Sequence, residues 1–134
     1  MKKYEFWFVV GSQLLYGENV LKTVADRAQE MAEKVASTLF GDIFDLVAGK
    51  REGYKTKPDP ALTLFVMDSL GVSPSECALA GDSGMDMAAA VNAGALPIGV
   101  LWGFRTAEEL QKNGAEYLFS SPAEITDLIE KLNG

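Results

Sequence analysis

Residues 77–86 read Cys-Ala-Leu-Ala-Gly-Asp-Ser-Gly-Met-Asp, a short apolar run followed by a glycine and then two aspartates four residues apart. The run has the length of a buried strand, and the glycine predicts the turn that ends it. Asp82 and Asp86 then lie at the carboxyl end of that strand, where a helix begins. Doubly wound α/β sheets bind ligands at this edge. The stretch therefore predicts an α/β fold with a polar site at Asp82 and Asp86.

The composition is that of an ordinary globular protein and excludes several kinds of site. The 134 residues are 48% hydrophobic and 23% charged, and no linker divides them, which predicts one domain over residues 1–134. No histidine is present, so zinc sites and Ser-His or Cys-His catalysis are excluded. A net charge of −7 disfavours nucleic acid and anionic membranes as partners.

The location is predicted from the apolar runs and from the cysteine content. No apolar run approaches the roughly 20 residues of a membrane span, and the run near the amino terminus is too short for the core of a signal peptide. The single cysteine, Cys77, fits a reducing compartment. We therefore expect a soluble cytoplasmic protein.

Apolar runs alternate with helical patterns along the chain, which predicts a parallel sheet covered by helices. The predicted strands are 4–10, 43–48, 77–80, 96–102 and 117–119. The predicted helices cover about 19–39, 60–70, 85–92, 107–114 and 123–132. Right-handed crossovers and one reversal of direction then give the strand order 2-1-3-4-5. The predicted fold is a three-layer, flavodoxin-like sandwich with a five-stranded sheet.

Several short patterns mark where helices begin. Asp59-Pro60 predicts an N-cap followed by the first helical residue. Ser or Thr followed three residues later by Glu predicts a capping box. This pattern occurs at Ser73 with Glu76, at Thr106 with Glu109 and at Ser121 with Glu124.

The last two-thirds of the chain, from about residue 41, resembles the haloacid dehalogenase (HAD) hydrolases, especially their phosphoglycolate phosphatase-like branch. The motifs that carry this resemblance are Phe44-Asp-Leu-Val-Ala-Gly, Lys57-Pro-Asp-Pro60, Leu70-Gly-Val, Gly81-Asp-Ser-Gly-Met-Asp86 and Gly99-Val-Leu-Trp-Gly-Phe104. The resemblance implies that Lys57 steadies the nucleophile and the substrate phosphate, and that Asp82 and Asp86 hold Mg²⁺. The family also has an Asp-x-Asp whose first aspartate attacks phosphorus, and no Asp-x-Asp occurs in this sequence.

The first third of the chain looks like a different family. Residues 4–17, Tyr-Glu-Phe-Trp-Phe-Val-Val-Gly-Ser-Gln-Leu-Leu-Tyr-Gly, resemble the start of bacterial L-arabinose isomerase, although that family usually has threonine at Val10 and histidine at Leu14. None of the isomerase's catalytic residues carries over, because they lie in later domains of that family. One strand and helix from such a domain would replace the first strands of a HAD sheet. We interpret the chain as an engineered chimera joined between about residues 36 and 42.

The aspartate pair has a functional and a structural interpretation. Two carboxylates with several waters suit Mg²⁺. Ser83 and Asp86 also form a capping-box pattern, so the helix start alone accounts for them. Lys57 is either a partner for phosphate or Asp82, or a solvated loop lysine.

Two residues of the first loop complete the set of candidate phosphate-binding residues, which is Lys57, Ser12 and Gln13. Ser12 stands where the HAD nucleophile's strand would end, but a serine without an activating base is a poor nucleophile and reads as a turn hydroxyl. The Gln13 amide is able to hydrogen-bond a ligand.

The missing nucleophile predicts a non-catalytic, chimeric flavodoxin-like scaffold, not an enzyme. No cofactor is required in this interpretation, and Mg²⁺ and a phosphate or sulfate ion are candidate ligands of the remnant site. One alternative is a HAD-type phosphatase, in which a carboxylate such as Glu18 replaces the missing aspartate. A second alternative is a binding module for phosphate or a small phosphorylated ligand. We expect no specific partner, and either a monomer or an adventitious dimer that covers apolar surface around Trp102-Gly-Phe104.

Overall fold

The structure is a computed structural model that describes residues 29–30, 32–42, 44–49 and 53–134. These residues fall into two compact units, one formed by Lys57–Gly134 and one that holds the described residues from 29 to 56. The predicted strand 4–10 and the candidates Ser12, Gln13 and Glu18 lie outside the described residues. The prediction of a single domain stays a prediction.

In the smaller unit, helical residues 29–30 and 32–40 form α1, which ends one residue beyond the helix predicted over about 19–39. The Gln29 side chain binds the backbone of residues 47–49. Its Nε2 donates to Val47 O at 2.8 Å, and its Oε1 accepts the Gly49 N–H at 2.6 Å. Among the described residues of the predicted strand 43–48, only Ala48 forms a β-bridge. The second predicted strand is therefore not confirmed.

The larger unit alternates helices and strands. Its elements are α2 (Ala61–Leu70), a 3₁₀ turn (Pro74–Glu76), β1 (Ala78–Gly81), α3 (Gly84–Ala93), β2 (Leu96–Val100), α4 (Ala107–Lys112), β3 (Tyr117–Phe119) and α5 (Pro122–Asn133). The three strands are parallel and adjacent in the order β1-β2-β3, as predicted for the last three strands. The described sheet thus has three strands, and the five-stranded order is not confirmed.

Strand β2 is covered by helices on both faces, which makes this unit a layered α/β structure. Ile98 packs against Ile125 and Leu128 of α5. Side chains alternate between the two faces of a strand, and a Cβ at the next residue, Gly99, would lie 3.1 Å from Leu110 Cδ1 of α4. Helix α3 packs on β1 and β2. Among the described residues, no helix is both long and apolar enough to cross a membrane.

The predicted capping boxes at Ser73 and Ser121 are present, whereas the one at Thr106 is formed only in part. Ser73 and Ser121 each donate their backbone N–H to the glutamate three residues later. At the third predicted box, Thr106 Oγ1 accepts the Glu109 N–H, but the Glu109 carboxylate bonds elsewhere.

Helix α2 begins at Ala61, one residue later than predicted, and Pro60 takes the N-cap position. Asp59 still serves the helix start, because its Oδ1 accepts the Ala61 N–H at 2.9 Å. Since proline lacks an N–H, the first donor that Asp59 meets is the one on Ala61.

We expect Ile98→Ala to lower the free energy of unfolding by about 2–5 kcal/mol, because it opens a cavity in the core between β2 and α5. Ile98 is 0% exposed. Leu64→Ala, a change of the same kind at a side chain that is 40% exposed, is the control and should cost much less. Urea unfolding followed by circular dichroism measures both. Equal losses would contradict the proposed core.

Glu124 gives α5 a pH-dependent start. Its carboxylate accepts the N–H groups of Ser121 and Ser120, and these bonds lower its pKa below the ordinary value of 4.5. A lowered folded-state pKa contributes stability that is present above the unfolded value and is lost as the pH falls through the folded value.

Glu124→Gln should therefore lower the urea midpoint by a constant amount near neutral pH, and the difference from the unmodified protein should shrink below about pH 4.5. Unfolding curves measured from pH 7 to pH 3 test this. A difference that stays constant over the whole range would show that the carboxylate charge plays no part.

Candidate functional site

An ion pair between Lys57 and Asp86 lies at the centre of the candidate site, in the larger unit. Lys57 Nζ lies 2.6 Å from Asp86 Oδ1, and the two side chains are 23% and 11% exposed. Lys57 lies ahead of α2 and Asp86 lies in the first turn of α3. The pair therefore joins two segments at the carboxyl end of β1.

The second oxygen of Asp86 forms the start of α3. Ser83 donates to Asp86 Oδ2 from its backbone N–H at 3.1 Å and from its hydroxyl at 2.6 Å. The Asp86 N–H donates back to Ser83 Oγ at 3.3 Å. The predicted capping box is thus present, and the same carboxylate binds the lysine.

Helix α3 also holds the backbone next to Lys57. Asn92 Nδ2 donates to the Pro58 carbonyl oxygen at 2.9 Å. Since Asp86 binds the ammonium and Asn92 binds the adjoining peptide, one helix fixes both ends of the Lys57-Pro58 segment. Nothing in the sequence pattern marks Asn92 for this role.

Asp82 is held by a backbone group of the loop that follows β2. The Phe104 N–H donates to Asp82 Oδ2 at 3.2 Å. A Cβ at Gly103 would overlap Asp82, so the loop approaches the carboxylate more closely than another residue type allows. Among the residues that the structure describes, Oδ1 of Asp82 has no hydrogen-bond partner.

Glycine is also required before the aspartates. A Cβ at Gly81 would overlap the Cβ of Asp86, because the end of β1 and the first turn of α3 meet there. Because glycine has no Cβ, residue 81 leaves room for the Asp86 side chain at the end of β1.

The start of α3 has a further partner that sequence reasoning missed. Glu109 Oε1 accepts the Gly84 N–H at 3.2 Å and lies 3.9 Å from Arg105 Nε. The Thr106–Glu109 pattern predicted a partner inside α4, but the carboxylate turns to the neighbouring helix. No local signal distinguishes these two outcomes.

The structure brings together three of the predicted site residues. Lys57, Asp82 and Asp86 lie around the end of β1, and Lys57 pairs with Asp86, whereas the sequence left phosphate, Asp82 or solvent as the alternatives for this lysine. Ser12 and Gln13 lie outside the described residues, so their assignment stays a prediction.

Cys77 belongs to the core. It is a free thiol that packs against the cluster of Met67, Ala93 and Ala95. Burial, and secondarily the charge of Glu76, raise the pKa of the Cys77 thiol above its ordinary value of 9.0. A raised pKa disfavours the reactive thiolate, which fits a packed, unreactive thiol.

The donor chemistry of the site fits Mg²⁺ only as a partial ligand set. The described residues contain no cluster of three or more His, Cys, Asp or Glu side chains able to hold a metal ion. Two carboxylates are nevertheless compatible with Mg²⁺, which keeps several waters and takes few protein ligands. Asp82 is the better donor, because both oxygens of Asp86 already have partners and, within the described residues, only Oδ2 of Asp82 does.

Comparison with protein families divides the chain in two. The L-arabinose isomerase N-terminal domain matches residues 1–43, and the haloacid dehalogenase-like hydrolase family matches residues 23–94. The predicted join at 36–42 lies inside the overlap of the two matches. The composite character predicted from the sequence is confirmed, although the hydrolase match begins well before residue 41 and includes α1.

Individual proteins show the same division. The chain is 37% identical over 111 residues to the "Putative pyrophosphatase PpaX" of Clostridium perfringens, which covers 82% of this chain and 52% of that protein. It is 66% identical over 32 residues to the L-arabinose isomerase of Levilactobacillus brevis, which covers 24% of this chain and 7% of the isomerase.

A solved structure extends the likeness to the fold. The crystal structure of a "putative phosphoglycolate phosphatase" from Lactobacillus delbrueckii subsp. bulgaricus has a TM-score of 0.71 at 28% identity, and the match covers 83% of this chain and 51% of that one. The chain thus has a HAD-like α/β fold and spans about half the length of the hydrolases it matches.

These comparisons correct the predicted function. The predictions of a non-catalytic scaffold and of a protein that is not an enzyme are wrong, because the relatives and structural neighbours are phosphatases. The alternative, a HAD-type phosphatase, is better supported. The scaffold prediction rested on the absence of the Asp-x-Asp motif. The charged residues that are present, Lys57, Asp82 and Asp86, nevertheless lie together at the end of β1. The engineered origin stays a prediction.

We expect Gly103→Ala to break the hydrogen bond between Phe104 and Asp82, because a Cβ at this position overlaps Asp82 and the loop must move away. The Phe104 amide should then exchange its hydrogen faster, which hydrogen-exchange NMR measures. Arg105→Gln, in the same loop, is the matched control and should leave that amide protected. Unchanged exchange in Gly103→Ala would contradict the described contact.

Proposed function

The chain belongs to the haloacid dehalogenase-like hydrolases, and we propose that it hydrolyses phosphate monoesters at the end of β1, where Lys57, Asp82 and Asp86 meet. The observation that carries the proposal is the 2.6 Å ion pair of Lys57 with Asp86, which holds a cation at the edge where α/β sheets bind ligands. The names of its relatives, a pyrophosphatase and a phosphoglycolate phosphatase, support phosphoryl transfer to water.

Lys57 stabilises the negative charge of the phosphoryl group. An ammonium group has three N–H donors, and among the described residues only Asp86 accepts one of them. The other two are free to bind phosphate oxygens, on which charge is spread in the transition state. Asp86 and Asn92 keep the lysine in place before the substrate binds, so little reorganisation is needed.

Mg²⁺ is the proposed cofactor. Asp82, with Asp86 beside it, would hold the ion, which when bound would neutralise charge on the substrate phosphate. The role of Asp82 itself is to present Oδ1 at a fixed position, because the Phe104 N–H holds its other oxygen.

Water is the proposed attacking group. The aspartyl nucleophile implied by the family resemblance has no counterpart in this sequence. In the proposed reaction the water oxygen forms a bond to phosphorus while the bond from phosphorus to the leaving oxygen breaks. The leaving oxygen takes up the proton that water releases, and the products are an alcohol and inorganic phosphate.

The finer fold assignment is part of the same proposal. We propose a five-stranded sheet of order 2-1-3-4-5, supported by the isomerase match over residues 1–43 and by the order β1-β2-β3. A cytoplasmic location is proposed from the single cysteine alone.

We expect Lys57→Met to lower kcat/KM for 4-nitrophenyl phosphate with Mg²⁺ by about 10²-fold, the usual effect of removing one group that stabilises transition-state charge. Lys55→Met is the matched control: it removes an exposed lysine two residues away and should leave the rate unchanged. Pyrophosphate and 2-phosphoglycolate are assayed in parallel as further substrates. Circular dichroism of both variants separates loss of activity from loss of folding.

Two results would contradict this function. One is a rate no higher than buffer with every phosphate ester tested. The other is a rate that Lys57→Met leaves unchanged, which would assign the activity to a contaminant.

A further inference from the structure

We propose that Phe104 determines substrate specificity, with its ring forming a platform for an aromatic or other apolar leaving group of the phosphate ester. This inference rests on the proposed function and names the class of its substrate. It depends on where the loop after β2 is fastened, on the exposure of its side chains and on the charge of the site.

The loop after β2 is fastened directly to the site. The Phe104 N–H donates to Asp82 Oδ2 at 3.2 Å, and the backbone at Gly103 is close enough that a Cβ would overlap Asp82. The Phe104 side chain leaves the backbone one atom from that amide nitrogen. The backbone that carries the ring is therefore held beside a carboxylate of the candidate active site.

Apolar side chains in the loop after β2 and in the first turn of α3 are exposed. Phe104 is 96% exposed, and Trp102 in the same loop and Met85, which precedes Asp86, are each 49% exposed. Single exposed apolar side chains are common on protein surfaces. Here Met85 is the chain neighbour of Asp86 and the Phe104 N–H binds Asp82, so each carboxylate has an exposed apolar residue attached to it, as at the border of a small-molecule site.

The charge of the site favours an apolar leaving group over a charged one. The protein has a net charge of −7, which opposes anionic ligands. Lys57 serves the transferred phosphoryl group, and the nearest charged residue in the loop, Arg105, faces Glu109. A second phosphate as leaving group would gain nothing from Phe104, whereas an aromatic ring would gain both buried area and ring–ring contact.

Phosphonates test this binding directly, because they mimic phosphate esters and are not hydrolysed. Phenylphosphonate and methylphosphonate carry the same anionic group and differ only in the apolar substituent. We expect the protein with Mg²⁺ to bind phenylphosphonate about tenfold more tightly in titration calorimetry, the effect of one aromatic contact. Phe104→Ala should remove the preference for phenylphosphonate, and Phe104→Leu should retain part of it.

Leu64→Ala, which removes an exposed apolar side chain from α2, is the control and should keep the full preference. Urea unfolding establishes that each variant is folded. Equal affinity for the two phosphonates, no detectable binding of either, or a preference that survives in Phe104→Ala would each overturn the assignment of Phe104.

Turnover separates this inference from the function on which it rests. A phenyl preference that depends on Phe104, without hydrolysis of any ester, contradicts the phosphatase and leaves the apolar platform established. Hydrolysis of 4-nitrophenyl phosphate and methyl phosphate that responds equally to Phe104→Ala supports the phosphatase and contradicts the platform.

Discussion

The arrangement of the site depends on the carboxylate of Asp86, which serves two partners at once. Oδ1 binds the Lys57 ammonium, and Oδ2 accepts two hydrogen bonds from Ser83. The start of α3 and the position of a lysine 29 residues earlier are therefore fixed by one side chain. The structural and functional interpretations of Asp86 are not alternatives, because the helix cap orients the carboxylate that holds the lysine.

Asp82 has a different kind of support. Asp82 is not part of the capping box of α3. Its Oδ2 instead accepts the backbone N–H of Phe104, in the loop that follows β2. A backbone donor fixes the carboxylate without placing a charged partner against it. The two aspartates thus differ in their partners: Asp86 binds Lys57 and Ser83, and Asp82 binds the backbone of the loop after β2.

Local signals explain what the sequence could predict. β3 is found at the predicted residues, and Ser73, Ser83 and Ser121 begin their elements as expected, because a capping pattern concerns neighbours along the chain. The alternation of apolar runs likewise predicted the order of β1, β2 and β3.

Contacts between segments that are distant in the chain could not be predicted from local sequence patterns. Both aspartates follow the same strand, so spacing alone allows Lys57 to pair with either; the close packing of Gly81 on Asp86 and the phase of α3 decide for Asp86. The bonds from Asn92 to Pro58 and from Phe104 to Asp82 depend on how loops pass one another. No residue type at those positions signals them.

The prediction of a non-catalytic scaffold was wrong because the absence of the Asp-x-Asp motif does not remove the rest of the site. Lys57, Asp82 and Asp86 all lie within residues 57–86, inside the hydrolase match and within one compact unit. Each is fixed by contacts of α3 or the loop after β2, which also belong to that unit. Among the residues that the structure describes, the part of the site that stabilises charge is thus held by contacts within residues 57–104. A chain that exchanges the first strand, where the family resemblance places the nucleophile, can keep the lysine and both carboxylates in place, and what it must then supply is the attacking oxygen.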